Sequence, residues 1–305
     1  MGQHLIDTAI EDARIAWGLG DAQIILAAAR ENQIYKVETP TGPAALRFHR
    51  PGYRTRAEIQ SEMEWMAMLA DRGVTLPEPI AALDGSLTHA SGDYVIDMLT
   101  WLNGVTVSQV PPSEAIYEKL GRLIGQMQNL ARDWTPPKGF TRPTWDLVGE
   151  APSWGRFWDS PVVPDTQRAS LEHLRQIALE HIDAKGTDQH ILIHADLVLD
   201  NVLVDGDTLY PIDFDDGGYG DPLFDLATVT SRSLRFDPKG GLREATIRGY
   251  QAACDTDISD LRLFEALRAA SYIGWIADRM DLSQSEARLA LFLEEVQIRY
   301  QALES

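Results

Sequence analysis

One cysteine, Cys254, stands in 305 residues, so the chain has no intramolecular disulfide framework and suits a reducing compartment. Long apolar runs are missing too; nothing approaches the roughly 20 residues that cross a bilayer as a helix. The opening Met1-Gly2-Gln3-His4 leads into an acidic, amphipathic segment instead of a charged-then-apolar secretion signal, and Ile6 stands where a myristoylation motif has Ser or Thr. Basic residues are scarce: 27 Lys and Arg against 46 Asp and Glu leave a formal charge of −19. That balance argues against nucleic acid or an anionic membrane as partner, since both require a basic face, and it favours a cationic small molecule. There is no internal repeat and no low-complexity stretch. The expected setting is the cytoplasm.

Against these absences, one stretch is dense in chemistry. His194-Ala195-Asp196-Leu197-Val198-Leu199-Asp200-Asn201 has the spacing H-x-D-L-x-x-x-N, and Asp213-Phe214-Asp215 follows. This is the spacing of a phosphoryl-transfer loop, in which the Asp orients a hydroxyl and takes its proton while the Asn and the later Asp hold a metal ion. Four fixed letters at fixed offsets arise by accident on the order of once in a thousand sequences of this length. Ile191–Ile193 enters the loop as a short strand, Asn201–Val204 leaves it as another, and Asp205-Gly206-Asp207 turns back through Thr208–Ile212 toward Asp213. The hairpin is expected to bring Asn201 and Asp213 to one end. Mg²⁺ is the expected ion, because it prefers oxygen ligands and is normally shared with substrate phosphates.

The first hundred residues read as a helix over 5–17, strands over 23–30, 32–39 and 44–49, a helix over 55–71, and strands over 80–83 and 94–99. The first hairpin loop, Arg30-Glu31-Asn32, lacks the glycines of a protein-kinase phosphate loop. In the third strand Leu46 and Phe48 point to one face, Arg47 and His49 to the other. A cation on such a strand can grip the α- and β-phosphates of ATP, held by a Glu on the next helix. Arg47 and Glu62 are the expected pair, with Lys36 as the rival cation; Glu58 shares the face of Glu62, whereas Glu64 does not. A surface role within the basic run Arg50, Arg54 and Arg56 is the plainer alternative for Arg47. Residues 100–104 then read as a connector, and adenine is expected against Met98–Trp101, where a chain crossing between lobes leaves backbone groups to bond.

Beyond the connector the pattern is helical: 113–134, 167–184, 223–231, 241–254, 257–280 and 283–303. Residues 134–159 are irregular and hold Trp134, Trp145, Trp154 and Trp158, four of the chain's eight tryptophans. They are expected to pack beneath the loop, the alternative being a wall for a cationic substrate. Gly217-Gly218-Tyr219-Gly220 is expected to turn the chain sharply, Asp221-Pro222 to cap and open a helix, and Asp225 to serve that helix's dipole or reach back to the catalytic loop.

His194-Ala195-Asp196-Leu197…Asn201 with Ile212–Asp216, Gly220-Asp221-Pro222…Asp225-Leu226-Ala227, Leu46–Tyr53, Glu62, and the Arg142–Asp146 and Trp154–Trp158 segments together resemble the aminoglycoside phosphotransferase family, a kinase-like group that includes choline and homoserine kinases. The resemblance implies an α+β, two-lobed protein-kinase-like fold. Its parts would be a small nucleotide-binding lobe over residues 1–99 with a five-stranded antiparallel sheet and a helix, a connector over 100–104, and a larger, mostly helical lobe over 105–305. It implies Asp196 as the base, Asn201 and Asp213 as Mg²⁺ ligands, and Arg47 with Glu62 as a phosphate clamp; Asp215 is expected as a further metal residue, touching a second ion or lying beside it. His194 is expected to shape the loop. The sequence departs from the family at Arg47, where Lys is usual, and at Val198, where many members have His or Lys. The expected activity is transfer of the γ-phosphoryl group of Mg·ATP to a hydroxyl of an amino alcohol, amino acid, sugar or aminoglycoside-like molecule. A Ser/Thr protein kinase, a regulatory pseudokinase and a metal-dependent phosphoesterase stand as alternatives.

Overall fold

The computed structural model describes residues 2–29 and 31–304. In chain order these form α1 (Gly2–Trp17), β1 (Ile24–Ala29), β2 (Gln33–Thr39), β3 (Gly42–Phe48), α2 (Arg56–Asp71), β4 (Thr88–Ser91), β5 (Tyr94–Thr100), β6 (Val105–Thr106), α3 (Glu114–Arg132), α4 (Asp165–Lys185), β7 (Ile191–Ile193), β8 (Val202–Asp205), β9 (Thr208–Pro211), β10 (Gly218–Gly220), α5 (Leu223–Phe236), α6 (Gly241–Ala253), α7 (Leu261–Ala277) and α8 (Ser285–Glu304). They divide into two units. The first comprises residues up to Thr106 with Trp134–Arg142 and Val202–Asp215; the second comprises Val107–Asp133, Pro143–Asn201 and the chain from Asp216 onward.

The first unit is built on an antiparallel sheet in the order β1-β2-β3-β5-β4. Alternation sorts its residues as the period of a strand requires. Val37, Ala44, Leu46, Phe48, Ile96 and Met98 pack on one face with Ile6, Ala9, Ala13 and Trp17 of α1. Arg47 and His49 take the other side of β3, and the register sets Arg47 directly opposite Asp97 of β5. A slip of one residue would turn every one of these charges into the apolar layer, so the hydrophobic pattern itself locks the pair in place. Thr55 caps α2 in a capping box with Glu58.

Two expectations change here. Residues 80–83 do not form a strand: Pro77 and Pro79 have no N–H to give, only an isolated bridge joins Pro79 to Leu99, and Leu83 turns away to donate to the Ala16 carbonyl. The fifth strand is β4, whose polar Thr-His-Ala-Ser carries no apolar alternation to reveal it. Arg30, expected at the end of the first strand and in its loop, lies outside the described residues.

In the second unit α3 packs along α6, and α5 and α7 lie side by side. Residues 134–159, divided between the two units, contain no helix or strand among the described elements, as expected. Gly217–Gly220 does not turn. Gly218–Gly220 is a strand paired with β7, and its glycines permit close approach, since a Cβ on Gly218 would lie 2.3 Å from the Pro143 carbonyl oxygen. The final helix pair begins later than the periodicity suggests, because Asp257 accepts the Ser259 N–H in a turn and delays α7 to Leu261.

Candidate active site

In the first unit, Arg47 is buried and held on two sides. Its Nε and Nη2 donate to the two carboxylate oxygens of Asp97, both at 2.8 Å, and Nη2 also donates to Glu62 Oε1 at 2.8 Å. Glu62 is wholly buried, and its Oε2 faces Arg142 Nη1 at 3.5 Å. His49 continues the chain of charges: Nε2 lies 2.6 Å from Asp97 Oδ2 and Nδ1 lies 3.7 Å from Asp215 Oδ1. Arg47, Arg142 and protonated His49 thus face Glu62, Asp97 and Asp215, three charges of each sign. Buried charges survive only when compensated in this way. Burial pulls the Arg47 and His49 pKa values down, but the neighbouring carboxylates outweigh it; Arg47 is held above its ordinary value and His49 is raised to about 9. Burial pushes Asp215 up, and His49 with the nearby arginines more than reverses that, to about 2.

The Asp213–Asp215 segment is pinned within the same unit. Phe214 is fully buried and meets Trp65 of α2 edge-on at 5.1 Å. Arg142 Nη2 donates to the Phe214 and Asp215 carbonyls at 2.9 and 2.7 Å, while its Nη1 donates to the Glu58 carbonyl of α2 at 2.9 Å. Arg54 Nε adds a bond to the Asp215 carbonyl at 3.0 Å. With its neighbours held, Asp213 keeps a left-handed backbone (φ 65°) and an exposed side chain. A non-glycine residue in that region costs about 1 kcal/mol and persists only where its surroundings impose it.

The catalytic-loop residues lie in the second unit. Ala195 is also left-handed (φ 65°), and the reason is Asp225 in the first turn of α5. Its two carboxylate oxygens accept the N–H groups of His194 and Ala195, each at 2.8 Å. Burial raises the pKa of Asp225 despite those bonds. Asp225 therefore reaches back to the loop, the second of the two roles expected for it. His194 is buried, Val198 half-buried and Asp200 exposed, where it accepts from Ser108. Asp196, half-buried, receives a donor on each oxygen: Arg268 Nη2 on Oδ1 at 2.8 Å and Asn201 Nδ2 on Oδ2 at 3.0 Å. Asn201 Nδ2 also donates to the Asp196 carbonyl at 2.9 Å.

Of the other expected residues, Met98 is buried beneath the sheet, and its carbonyl accepts from Ile80 at 2.7 Å. Trp101 donates its N–H to the Pro43 carbonyl at 3.0 Å, and Lys36 Nζ sits 5.2 Å from the centre of its ring. Leu99 and Thr100 continue the pairing of β5 with β3, and the Thr100 N–H is given to the Glu78 carbonyl at 2.9 Å. Lys36 also faces Glu38 at 3.7 Å and does not enter the Arg47 cluster. Trp145 and Trp158 are buried, and cations of the protein itself cover two of the rings: Arg268 lies 4.4 Å from that of Trp154, and Arg175 and Arg156 lie 4.4 and 4.9 Å from that of Trp158.

Sequence periodicity passes over Asp97 and Arg268. The available signal was a lone charge in an apolar run, Tyr94-Val-Ile-Asp-Met-Leu for Asp97 and Ala266-Leu-Arg-Ala-Ala for Arg268, since such a charge must find a partner.

As for a metal, Asn201 commits its amide N–H groups to Asp196, so its Oδ1, the atom of an amide that binds cations, stays out of those bonds. Asp213 offers a second oxygen donor. Among the described residues no group of three or more His, Cys, Asp or Glu forms a metal cage. The amide oxygen in the second unit and the carboxylate in the first are each hard oxygen donors of the kind that suits Mg²⁺, which completes its shell with water and phosphate.

A model of the phosphotransferase enzyme family (APH) matches residues 23–264. Amicoumacin kinase of Bacillus subtilis is 25% identical over 294 residues, covering 90% of this chain and 85% of that protein. Homoserine kinase of Burkholderia mallei is 26% identical over 300 residues, covering 90% and 87%. The solved structure of a microcompartment-associated aminopropanol kinase superposes with a TM-score of 0.82 at 27% identity and covers 95% of each chain.

Proposed function

Because the chain belongs to the phosphotransferase enzyme family and has its two-lobed kinase-like fold, we propose that this ATP-dependent kinase phosphorylates a hydroxyl of a small, amine-bearing alcohol, with Asp196 as the base. One observation carries the reading: the Asp196 carboxylate is fixed by a donor on each oxygen, in a loop whose strained Ala195 is locked by Asp225. Such a group has lost its rotational freedom before the acceptor arrives. In the reaction the acceptor oxygen bonds to the γ-phosphorus while the bond from that phosphorus to the β–γ bridging oxygen breaks. The acceptor proton passes to Asp196 and ADP departs.

Asn201 and Asp213 are the residues that would hold Mg²⁺, which when bound would supply charge neutralisation for phosphoryl transfer. The Arg47–Glu62 pair clamps the α- and β-phosphates, and the adenine lies against Met98–Trp101. Asp215, whose carboxylate is turned to His49 and Asn32, serves by charge and position more than by coordination. The relatives are named for homoserine and aminopropanol, each of which has both an amine and a hydroxyl, and the charge of −19 favours an ammonium group on the acceptor. We assign the enzyme to the cytoplasm: its lone cysteine suits a reducing compartment, and no helix of the described residues is long and apolar enough to cross a membrane.

The test is a metabolite panel incubated with Mg·ATP and read by mass for addition of one phosphoryl group. An amine-bearing alcohol should gain the group with wild type, and Asp196→Asn should lower its rate by a factor of about 10² or more. Equal rates for the two proteins would refute the assignment.

A further inference from the structure

We propose that Arg268 is the positioning residue of the catalytic carboxylate, a cation delivered from α7 to a loop that has none of its own. The proposal rests on the reading of Asp196 as base. From His194 to Asn201 the loop contains no Lys or Arg. Arg268 stands 72 positions away in sequence, yet its Nη2 meets Asp196 Oδ1 at 2.8 Å, and it is the one cation bonded to that carboxylate among the described residues.

The guanidinium is built into the fold. Arg268 has no solvent exposure. Nε donates to Thr228 Oγ1 of α5 at 2.8 Å and Nη1 to Ser271 Oγ at 3.2 Å, so each nitrogen has an assigned partner. Aromatic rings surround it: Tyr272 at 4.2 Å, Trp154 at 4.4 Å and Phe224 at 5.3 Å from the guanidinium carbon. Trp154 reaches this position because α7 has Gly274 beneath it; a Cβ there would lie 2.4 Å from the Trp154 carbonyl oxygen. A cation stripped of water needs this much compensation, and a structural ion pair on the surface would need none of it.

Two consequences bear on transfer. First, Arg268 takes Oδ1, so the carboxylate cannot rotate and Oδ2, beside Asn201, is the oxygen that receives the acceptor's proton. Second, the guanidinium offsets the Asp196 charge, which would otherwise repel the triphosphate that it must face. Both act on the chemical step and not on nucleotide affinity. The same rings that would hold an acceptor's ammonium are already covered by Arg268, so the acceptor's amine must be recognised elsewhere.

The experiment uses the full-length protein and water as acceptor, following single-turnover hydrolysis of γ-labelled Mg·ATP, so it does not wait on the natural substrate. Arg268→Met fills the aromatic stack without charge, Arg268→Lys keeps charge without the fork, and Thr228→Val loosens the guanidinium while leaving it in place. The expected result is a fall in hydrolysis of about 10–100-fold for Arg268→Met with the KM for ATP within twofold, partial recovery in Arg268→Lys, and a smaller fall in Thr228→Val. Circular dichroism reports whether each variant is folded. A folded Arg268→Met that turns over at the wild-type rate would overturn the proposal; if that variant does not fold, wild-type turnover by Thr228→Val would do so. Asp196→Asn separates the two readings. Its full activity refutes Asp196 as base, whereas an inactive Asp196→Asn beside an unaffected Arg268→Met refutes only the role of Arg268.

Discussion

Raising the pH should dismantle the buried charge cluster of the first unit through one group, His49. Its Nε2 and Nδ1 face the carboxylates of Asp97 and Asp215, and the cluster is neutral only while the imidazole carries its proton. The folded-state pKa is about 9 against an ordinary value of 6.5. A raised pKa means that the folded state binds the proton more tightly than the unfolded chain. The stabilisation is therefore complete below pH 6.5 and lost as pH rises through 9. The gap between the two values, at 1.36 kcal/mol per unit, corresponds to about 3 kcal/mol. Urea denaturation at intervals from pH 6 to 10 measures it, with His49→Gln as the reference that cancels other titrating groups. The advantage of wild type over His49→Gln should shrink by about 3 kcal/mol across that range, with most of the change between pH 7 and 9. A difference independent of pH would refute the reasoning, because it would mean that His49 is neutral in the folded cluster.

Two further substitutions probe the surrounding machinery. Arg47→Lys replaces a fork that serves Asp97 and Glu62 at once with a point charge that cannot, so it should cost about 2 kcal/mol in denaturation experiments and raise the KM for Mg·ATP several-fold. Asp225→Asn turns an amide NH₂ toward a backbone N–H at the catalytic loop; leaving that buried donor unpaired should cost about 1–3 kcal/mol, and turnover should fall more than ATP affinity, both measurable on one preparation.

The chemistry was legible in the sequence because it is local. His194–Asn201 and Asp213–Asp215 are read from spacing alone, and the alternation of Leu46, Arg47, Phe48 and His49 assigns each residue to a face of its strand. Glu62 follows from helical spacing, which is equally a property of neighbours in sequence. Apolar runs betray strands, so the polar β4 stayed hidden and the Pro-flanked 80–83 segment looked like a strand in its place.

Short-range motifs alone supply the atoms proposed for phosphoryl transfer: a carboxylate, an amide and a second carboxylate, and a strand cation with a helical Glu. What only the tertiary structure decided is how those atoms are held and charged. Asp97 meets Arg47 through strand register, Arg142 ties α2 to the Phe214 and Asp215 carbonyls, and Arg268 crosses from α7 to Asp196. These partners lie 50 to 84 residues from the groups they serve. A charge buried at such a separation has no periodicity to announce its partner, because only the packed chain sets which two buried charges meet.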